Sequence, residues 1–362
     1  MSILFEINHP AHIHLFRNLA AILRRMGVVS VFLIKSEPAI EQLAKYFDLP
    51  IIKMGSKGKG IIRKYIYQLL FLYKTIRIAK KNKTNLGMGV SMILPLVSKY
   101  TRMDSICLDD DDMAVTPVFA KYANKASVIL TPDTLAFEKR SNNHISYSGY
   151  HELAYLHPNQ FVPDKSVLKI LQVKNDEIWF VVRFNAFNAH HDAGEQGMGF
   201  EQKKSLVEKL LGKGKVFIST EKEIDPGFEH LLLPNRPELI HSFLSYATLY
   251  VGESQTMTSE AAVLGIPALK CNTFAGRLSI PNELEEKYGL CYSYHPENFA
   301  DMLDKIDELL ELPNLKAEWG RRRQWMLKEK IDVTAFLVWF IENYPSSKQI
   351  LKENHDYQYN FK

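Results

Sequence analysis

The chain has 362 residues, 46% hydrophobic and 24% charged, enough for two domains with full cores and ordinary for a globular protein. Its three cysteines, Cys107, Cys271 and Cys291, are far apart and odd in number, which excludes a disulfide framework and a cysteine-based zinc site and fits a reducing, cytoplasmic compartment. The net charge of +4 hides an asymmetry. Lys53–Lys83 holds ten Lys or Arg and no acid, while the remainder carries 35 basic against 41 acidic residues; this points to a local anionic surface or ligand rather than to nucleic acid.

A strand is expected at Ile3–Ile7, almost at the first residue, so no signal peptide is expected, and no apolar run approaches the length of a membrane span. The loop Asn8-His-Pro-Ala-His-Ile-His14 follows directly and lies at the carboxyl edge of a sheet. Its histidines lack metal-ligand spacing: His12 and His14 are two apart, and no carboxylate stands one helical turn on. His12 is instead a candidate general base or substrate contact, with His9 and Asn8 beside it, because imidazole titrates near working pH. The plainer reading has Asn8 capping a helix, Pro10 in its first turn and the histidines filling polar space.

That helix is expected over Ile13–Met26, ending at Gly27, followed by a strand at Val28–Ile34 and a helix at Ala39–Phe47. Ile61–Ala79 has a 3.6-residue period, with Ile62, Tyr65, Leu69, Leu72, Tyr73 and Ile76 on one face and Arg63, Lys64, Gln68 and Lys74 on the other. The apolar face is expected to cover the sheet and the basic face to be solvated; contact of 61–79 with an anionic membrane is the alternative. Strands follow at Asn85–Val90, Ser105–Leu108 and Ser127–Leu130. Cys107-Leu-Asp-Asp-Asp-Asp-Met113 puts four carboxylates at a strand end, a costly stacking of like charge unless something relieves it. Three readings are open: an acid/base carboxylate at Asp109 or Asp110, a loop whose last Asp caps a helix, and a divalent-cation site.

Near His151–Pro163 the alternation breaks into a linker and then restarts. A strand at Glu177–Arg183 leads into Asn185-Ala-Phe-Asn-Ala-His-His-Asp192, so Arg183 can pair with a diphosphate while His190, His191 and Asp192 complete an anion pocket. A helix at Gln202–Leu211, a strand at Lys215–Ser219 (with Ser219, Thr220 and Glu221 as lesser candidates) and a helix at Glu238–Tyr246 lead to Val251–Leu269, VGESQTMTSEAAVLGIPAL. Here a strand turns through Gly252 into a helix that stops at Gly265 and Pro267. Ser254 and Thr256 can cap that helix, the amides around Gln255 and Met257 form a cradle for phosphate, and Glu260 lies one turn inside, where it can accept from a ribose. The plainer reading is an ordinary strand–loop–helix corner. Gly289–Tyr294 and Pro296–Leu310 complete the pattern, an apolar helix follows at Asp332–Tyr344, and the polar tail is expected to be loosely held.

The alternation implies two α/β domains with parallel sheets, facing each other across a cleft. The expected boundaries are 1–155 for the first, 156–331 for the second, 332–345 for a helix crossing back to the first, and 346–362 for the tail.

The segments FEINHPAHIHLFRNL, LDDDD, YHELAYLHP, VVRFNAFNAHHD, KVFISTEKE and GESQTMTSEAAVLGIPALKCNTF, in that order and reaching about Tyr294, resemble the domain of unknown function 354 family, related to GT-B glycosyltransferases and UDP-GlcNAc 2-epimerases. The resemblance implies a GT-B-like pair of Rossmann-type domains and a nucleotide-sugar loop at Gly252–Glu260, with Glu260 on the ribose. Gln255 and Thr256 replace the paired glycines of the epimerases, and the acidic run lacks their Glu-Ala-Gly-Leu-Arg segment. The implied activity is metal-independent transfer from a UDP-sugar, as substrate and with no further cofactor, to a carbohydrate or lipid-linked acceptor in envelope or capsular polysaccharide assembly. A UDP-N-acetylhexosamine 2-epimerase and a non-catalytic nucleotide-sugar-binding protein are the alternatives.

Overall fold

The computed structural model describes all residues except 57–59, 186–195 and 221–223, and all side chains except theirs and those of 61, 62 and 64. The chain divides into two compact units, one of residues 1–160 with 330–362 and one of residues 161–329.

In the first unit, strands β1 (Ser2–Ile7), β2 (Val29–Ile34), β3 (Ile51–Lys53), β4 (Leu86–Gly89), β5 (Asp104–Leu108), β6 (Val128–Pro132) and β7 (His144–Tyr147) form one sheet in the order β3-β2-β1-β4-β5-β6-β7. All pairings are parallel. Runs such as Ile3-Leu-Phe-Glu-Ile7 are buried along their length, as strands covered by helices on both faces must be. Helix α1 (Pro10–Arg25) buries Ile13, Phe16, Leu19 and Leu23 on one stripe and ends before Gly27 at φ 80°. It starts earlier than the periodicity implies, because Pro10 is pre-set for the first helical position and the His9 side chain, rather than that of Asn8, caps it. Helix α2 (Pro38–Tyr46) follows β2.

Helix α3 (Ile61–Lys81) corrects the periodicity reading. Among its described side chains the buried ones are Phe71, Thr75 and Ala79, with Tyr67, Leu72, Ile76 and Ile78 packed partly against the same cluster as Leu4, Leu33 and Met54; Ile62 lies outside the described side chains. Tyr65, Leu69 and Tyr73, expected to face the sheet, are exposed.

Residues 330–362 belong to this first unit. The helix Val333–Glu342 is capped by Asp332, whose Oδ1 accepts from Ala335 N at 3.0 Å, and packs against α1; Thr334 Oγ1 donates to the Ala154 carbonyl at 2.6 Å. The tail is not loosely held. It forms a helix, Ser346–Glu353, and a tight turn run, His355–Phe361. Lys348 Nζ donates to Ser127 O and Asn143 Oδ1 at 2.9 Å each, and Gln358 Oε1, fully buried, accepts from Ser148 N at 2.6 Å.

In the second unit, β8 (Trp179–Phe184), β9 (Lys215–Thr220), β10 (Leu249–Gly252), β11 (Ala268–Cys271) and β12 (Cys291–Tyr294) form a parallel sheet in the order β12-β11-β10-β8-β9. Helices at Phe200–Leu211, Ile240–Tyr246, Gln255–Leu264, Phe299–Glu311 and Leu315–Glu329 surround it. The chain's progression along each sheet reverses once, between β1 and β4 in the first unit and between β8 and β10 in the second. Such reversals open a crevice at the carboxyl ends of the strands, where ligands of this architecture bind.

Candidate functional site

At the β1/β4 reversal the two strands run close together. A Cβ on Gly89 would lie 3.1 Å from the Glu6 carbonyl oxygen, so a side chain there would press on the neighbouring strand. Glu6 is buried and ties the two strand ends: one carboxylate oxygen accepts from Asn8 Nδ2 at 2.7 Å and the other from Ser91 Oγ. Ser91 Oγ in turn accepts from Ile93 N at 3.0 Å and Leu94 N at 2.9 Å, starting the next short helix. Asn8 therefore anchors the loop that carries His9 and His12.

His12 is half-buried, and its Nδ1 accepts from Asn8 N at 3.3 Å. That bond puts the ring proton on Nε2. Burial, with the charge of His9 and despite Asp110, lowers its pKa to about 3, so His12 is neutral at any working pH. It is suited to donating a hydrogen bond and poorly suited to the general-base role expected for it. His14 is buried against Phe47 and Tyr155 and is a core residue.

The acidic run divides its labour. Asp109 is buried and bonded to Arg140, which also holds Glu138 and donates to the Asp111 carbonyl at 3.0 Å. Burial pushes its carboxyl up to about 6 even beside that guanidinium, and its oxygens are committed to Arg140 and to Asp111 N at 3.3 Å. Asp109 is an anchor for the corner, not the acid/base group expected of it. Burial and the charges of Asp110 and Asp109 raise Asp111 well above the usual carboxylate range. Asp112 does not cap the helix Pro117–Ala123, which has Thr116 at its N-cap.

Asp110 differs in kind. Its side chain is 35% exposed, and its Oδ2 lies 3.0 Å from Nδ1 of buried His151. Burial opposes its ionisation, yet the charge and hydrogen bond of His151 bring the carboxyl below its usual range. Burial likewise lowers His151, but Asp110 outweighs it and the imidazole is raised above 6.5. With Nδ1–H on Asp110, the second nitrogen carries the lone pair in the neutral ring, and among the described residues this buried Nε2 has no hydrogen-bond partner. Two neighbouring histidines are thus set in opposite tautomers: His12 to donate, His151 to accept. His151 was hidden in what reads as a linker. Its signal is the short strand β7, which puts Ser148–His151 at the carboxyl edge beside the acidic corner.

In the second unit, a Cβ on Gly252 would fall 2.7 Å from both the Arg183 carbonyl oxygen and the Tyr250 hydroxyl. Arg183 is half-buried, and its Nη1 donates to Ser219 Oγ at 2.7 Å, which ties one end of the guanidinium to the end of β9, on the other side of β8 from β10. Glu253, unremarked in the sequence, is buried; its carboxylate accepts from Asn185 N at 2.8 Å and Met198 N at 2.6 Å. Ser254 caps the helix Gln255–Leu264, accepting from Met257 N at 3.3 Å. The Met257 amide is therefore spent on the cap, while those of Gln255 and Thr256, both partly exposed, are not used within the helix. Behind them lies fully buried Lys270, bonded to Gln255 Oε1 and lowered to about 8 by burial.

Glu260 does not offer an open carboxylate. It is buried, and its Oε1 lies 2.9 Å from Nε2 of equally buried His241. His190, His191, Asp192 and Glu221 lie outside the described residues. Among the described residues no three His, Cys, Asp or Glu side chains are grouped to hold a metal ion, and no helix is long and apolar enough to cross a membrane.

Two parallel α/β units, each with a strand-order reversal crowned by polar loops, define a GT-B-like protein. The chain belongs to the DUF354 family of proteins of unknown function, whose pattern matches residues 1–295. No curated protein matches it. Among solved structures it is similar to the S. aureus protein MnaA in complex with UDP (TM-score 0.68, 10% identity, 96% of this chain and 97% of that one). It is also similar to the UDP-GlcNAc 2-epimerase of Neisseria meningitidis bound to UDP-GlcNAc (0.63, 12%, 94% and 100%) and to the glycosyltransferase SsfS6 of Streptomyces sp. SF2575 (0.60, 10%, 95% and 100%). At these identities the likeness is one of fold.

Proposed function

We propose that the protein transfers a sugar from a nucleoside-diphosphate donor, a UDP-sugar in the first instance, to a hydroxyl of a carbohydrate or lipid-linked acceptor in envelope or capsular polysaccharide assembly. The observation that carries this is the Asp110–His151 pair, a carboxylate-oriented imidazole with an unpartnered Nε2. In the reaction, Nε2 takes the proton of the acceptor hydroxyl and the oxygen forms the new bond at the anomeric carbon. The bond from that carbon to the diphosphate breaks, and its electron pair leaves on the nucleotide. Asp110 holds the resulting imidazolium, and neutral His12, with His9 and Asn8, orients hydroxyls by hydrogen bonding. Arg183 and the amides of Gln255 and Thr256 at a capped helix start neutralise the leaving group, so no metal is invoked. Gly252 and Ser254 shape that corner, and Glu260 acts from behind it through packing rather than on a ribose.

The likeness in fold to UDP-GlcNAc 2-epimerases favours one second reading, in which the raised His151 serves as an acid toward a departing UDP. Thermal shift across UDP-, GDP- and CMP-sugars comes first, since a bound ligand raises apparent stability by mass action. UDP species are expected to shift the transition, and no response to any nucleotide would defeat both readings. Conversion of UDP-GlcNAc without an acceptor selects the epimerase. A cellular role that survives Asp110→Asn but is lost with Arg183→Ala would leave only a binding function.

A further inference from the structure

Helix α3 buries Phe71, Thr75 and Ala79 and turns a second apolar face outward. Tyr65, Ile66, Leu69, Leu70 and Tyr73 are 65%, 50%, 50%, 52% and 58% exposed. At about 100° per residue these five fall within one arc opposite Phe71, so they form a continuous stripe rather than scattered surface residues. Arg63, Arg77 and Lys74 lie along one border of that stripe, and Lys80 and Lys81 at its end, all exposed. None of the five is ion-paired among the described residues, and the segment Lys53–Lys83 contains no acid. Arg77 stacks over the Tyr73 ring at 5.8 Å, joining the cationic border to the apolar stripe.

We propose that this face of α3 lies on an anionic bilayer surface, with the stripe in the headgroup layer and the cations on lipid phosphates. Charge selects this occupant. A second copy docked through the same face would set one uncompensated basic border against another, and a neutral surface would leave five cations without partners. The two tyrosines, apolar in the ring and polar at the tip, suit the boundary between headgroup and acyl chain. The helix then attaches the protein to the surface without spanning it. This inference stands apart from the proposed reaction, and its test does not depend on turnover.

The test is co-sedimentation of the full chain with vesicles of phosphatidylcholine alone and of phosphatidylcholine containing phosphatidylglycerol, at low and high salt. Binding is expected only to the anionic vesicles and is expected to weaken with salt. Lys74→Glu with Arg77→Glu is expected to lower affinity about tenfold or more, and Leu69→Ser with Leu70→Ser to lower it comparably at unchanged salt dependence. All four positions are exposed, so the far-ultraviolet circular dichroism should be unchanged. Equal binding to neutral vesicles, no binding to either, or a lipid-free dimer that Leu69→Ser with Leu70→Ser dissociates would each overturn the proposal, the last by showing a second copy on the stripe.

Discussion

The two strand-order reversals are built alike and charged oppositely. In each, a glycine at the end of one strand lies in register with a charged residue of the neighbouring strand, Gly89 with Glu6 and Gly252 with Arg183. In each, that charged residue bonds to a serine hydroxyl, Ser91 or Ser219. The first unit puts a carboxylate at this position, bonded to Asn8 at the start of the loop that carries His9 and His12; the second puts a guanidinium there, on the strand beside a capped helix start. Under the proposed function one backbone device serves two chemistries: the carboxylate and histidine edge is assigned protons and hydroxyls, and the cation with the helix-start amides is assigned phosphate. Catalysis and donor affinity should accordingly fail separately.

The largest effect should come from breaking the proton side. His151→Gln is expected to lower turnover by about 10²–10⁴-fold while leaving the nucleotide-induced thermal shift in place. Loss of both would show that the histidine supports the fold instead. The pH profile sharpens this. Because His151 is raised above 6.5 by Asp110, a base role predicts turnover that climbs with pH beyond that value, whereas an acid role predicts a fall. Stability runs the other way. The pair's contribution is complete below the unfolded value of 6.5 and lost as pH rises through the higher folded one. The gap in unfolding free energy between wild type and His151→Gln should therefore narrow toward alkaline pH in denaturant titrations.

Breaking the phosphate side should be milder. Arg183→Gln removes a charge-assisted contact of about 1.5–3 kcal/mol, so calorimetry should show nucleotide affinity reduced by roughly 10- to 100-fold. Under saturating donor the variant should recover most of its turnover; if kcat fell as far as in His151→Gln, the division between the units would be wrong.

Much of this was legible in the sequence because it rests on backbone grammar. Pro10, Gly27, Ser254 and Gly265 mark helix ends by rules that local sequence obeys, and the apolar runs of β1, β5, β8 and β10 can only be buried strands. What was not legible depends on partners distant in sequence. Asp109 and Asp110 are adjacent and chemically identical, and only Arg140 and His151, each some thirty or more residues later, give them different roles. Glu260 looked available until His241, on another helix, claimed it. The α3 face failed for another reason: its residues are apolar nearly all round, so periodicity identified a stripe but not which stripe the sheet would take. Phe71, Thr75 and Ala79 are the ones that take the buried side.

The two glycines give the smallest and most local test of the shared device. An added methyl at Gly252 meets a backbone oxygen and a buried tyrosine hydroxyl at 2.7 Å, whereas at Gly89 the nearest atom is a carbonyl oxygen at 3.1 Å. Neither glycine has a positive φ, so the cost is one of crowding between strands and not of backbone conformation. Overpacking of this kind costs about 1–3 kcal/mol, and the shorter approach places Gly252→Ala toward the upper end and Gly89→Ala toward the lower. Urea titrations should separate the two midpoints in that order. The displaced neighbours differ as well. At Gly252 the strand must move away from the Arg183 backbone, so Gly252→Ala should also weaken nucleotide binding, while Gly89→Ala, which presses on Glu6, should leave that binding unchanged. Equal costs at the two positions would mean that the sheet relaxes freely at both reversals, and that the close approach of the strands does not hold the charged residues in place.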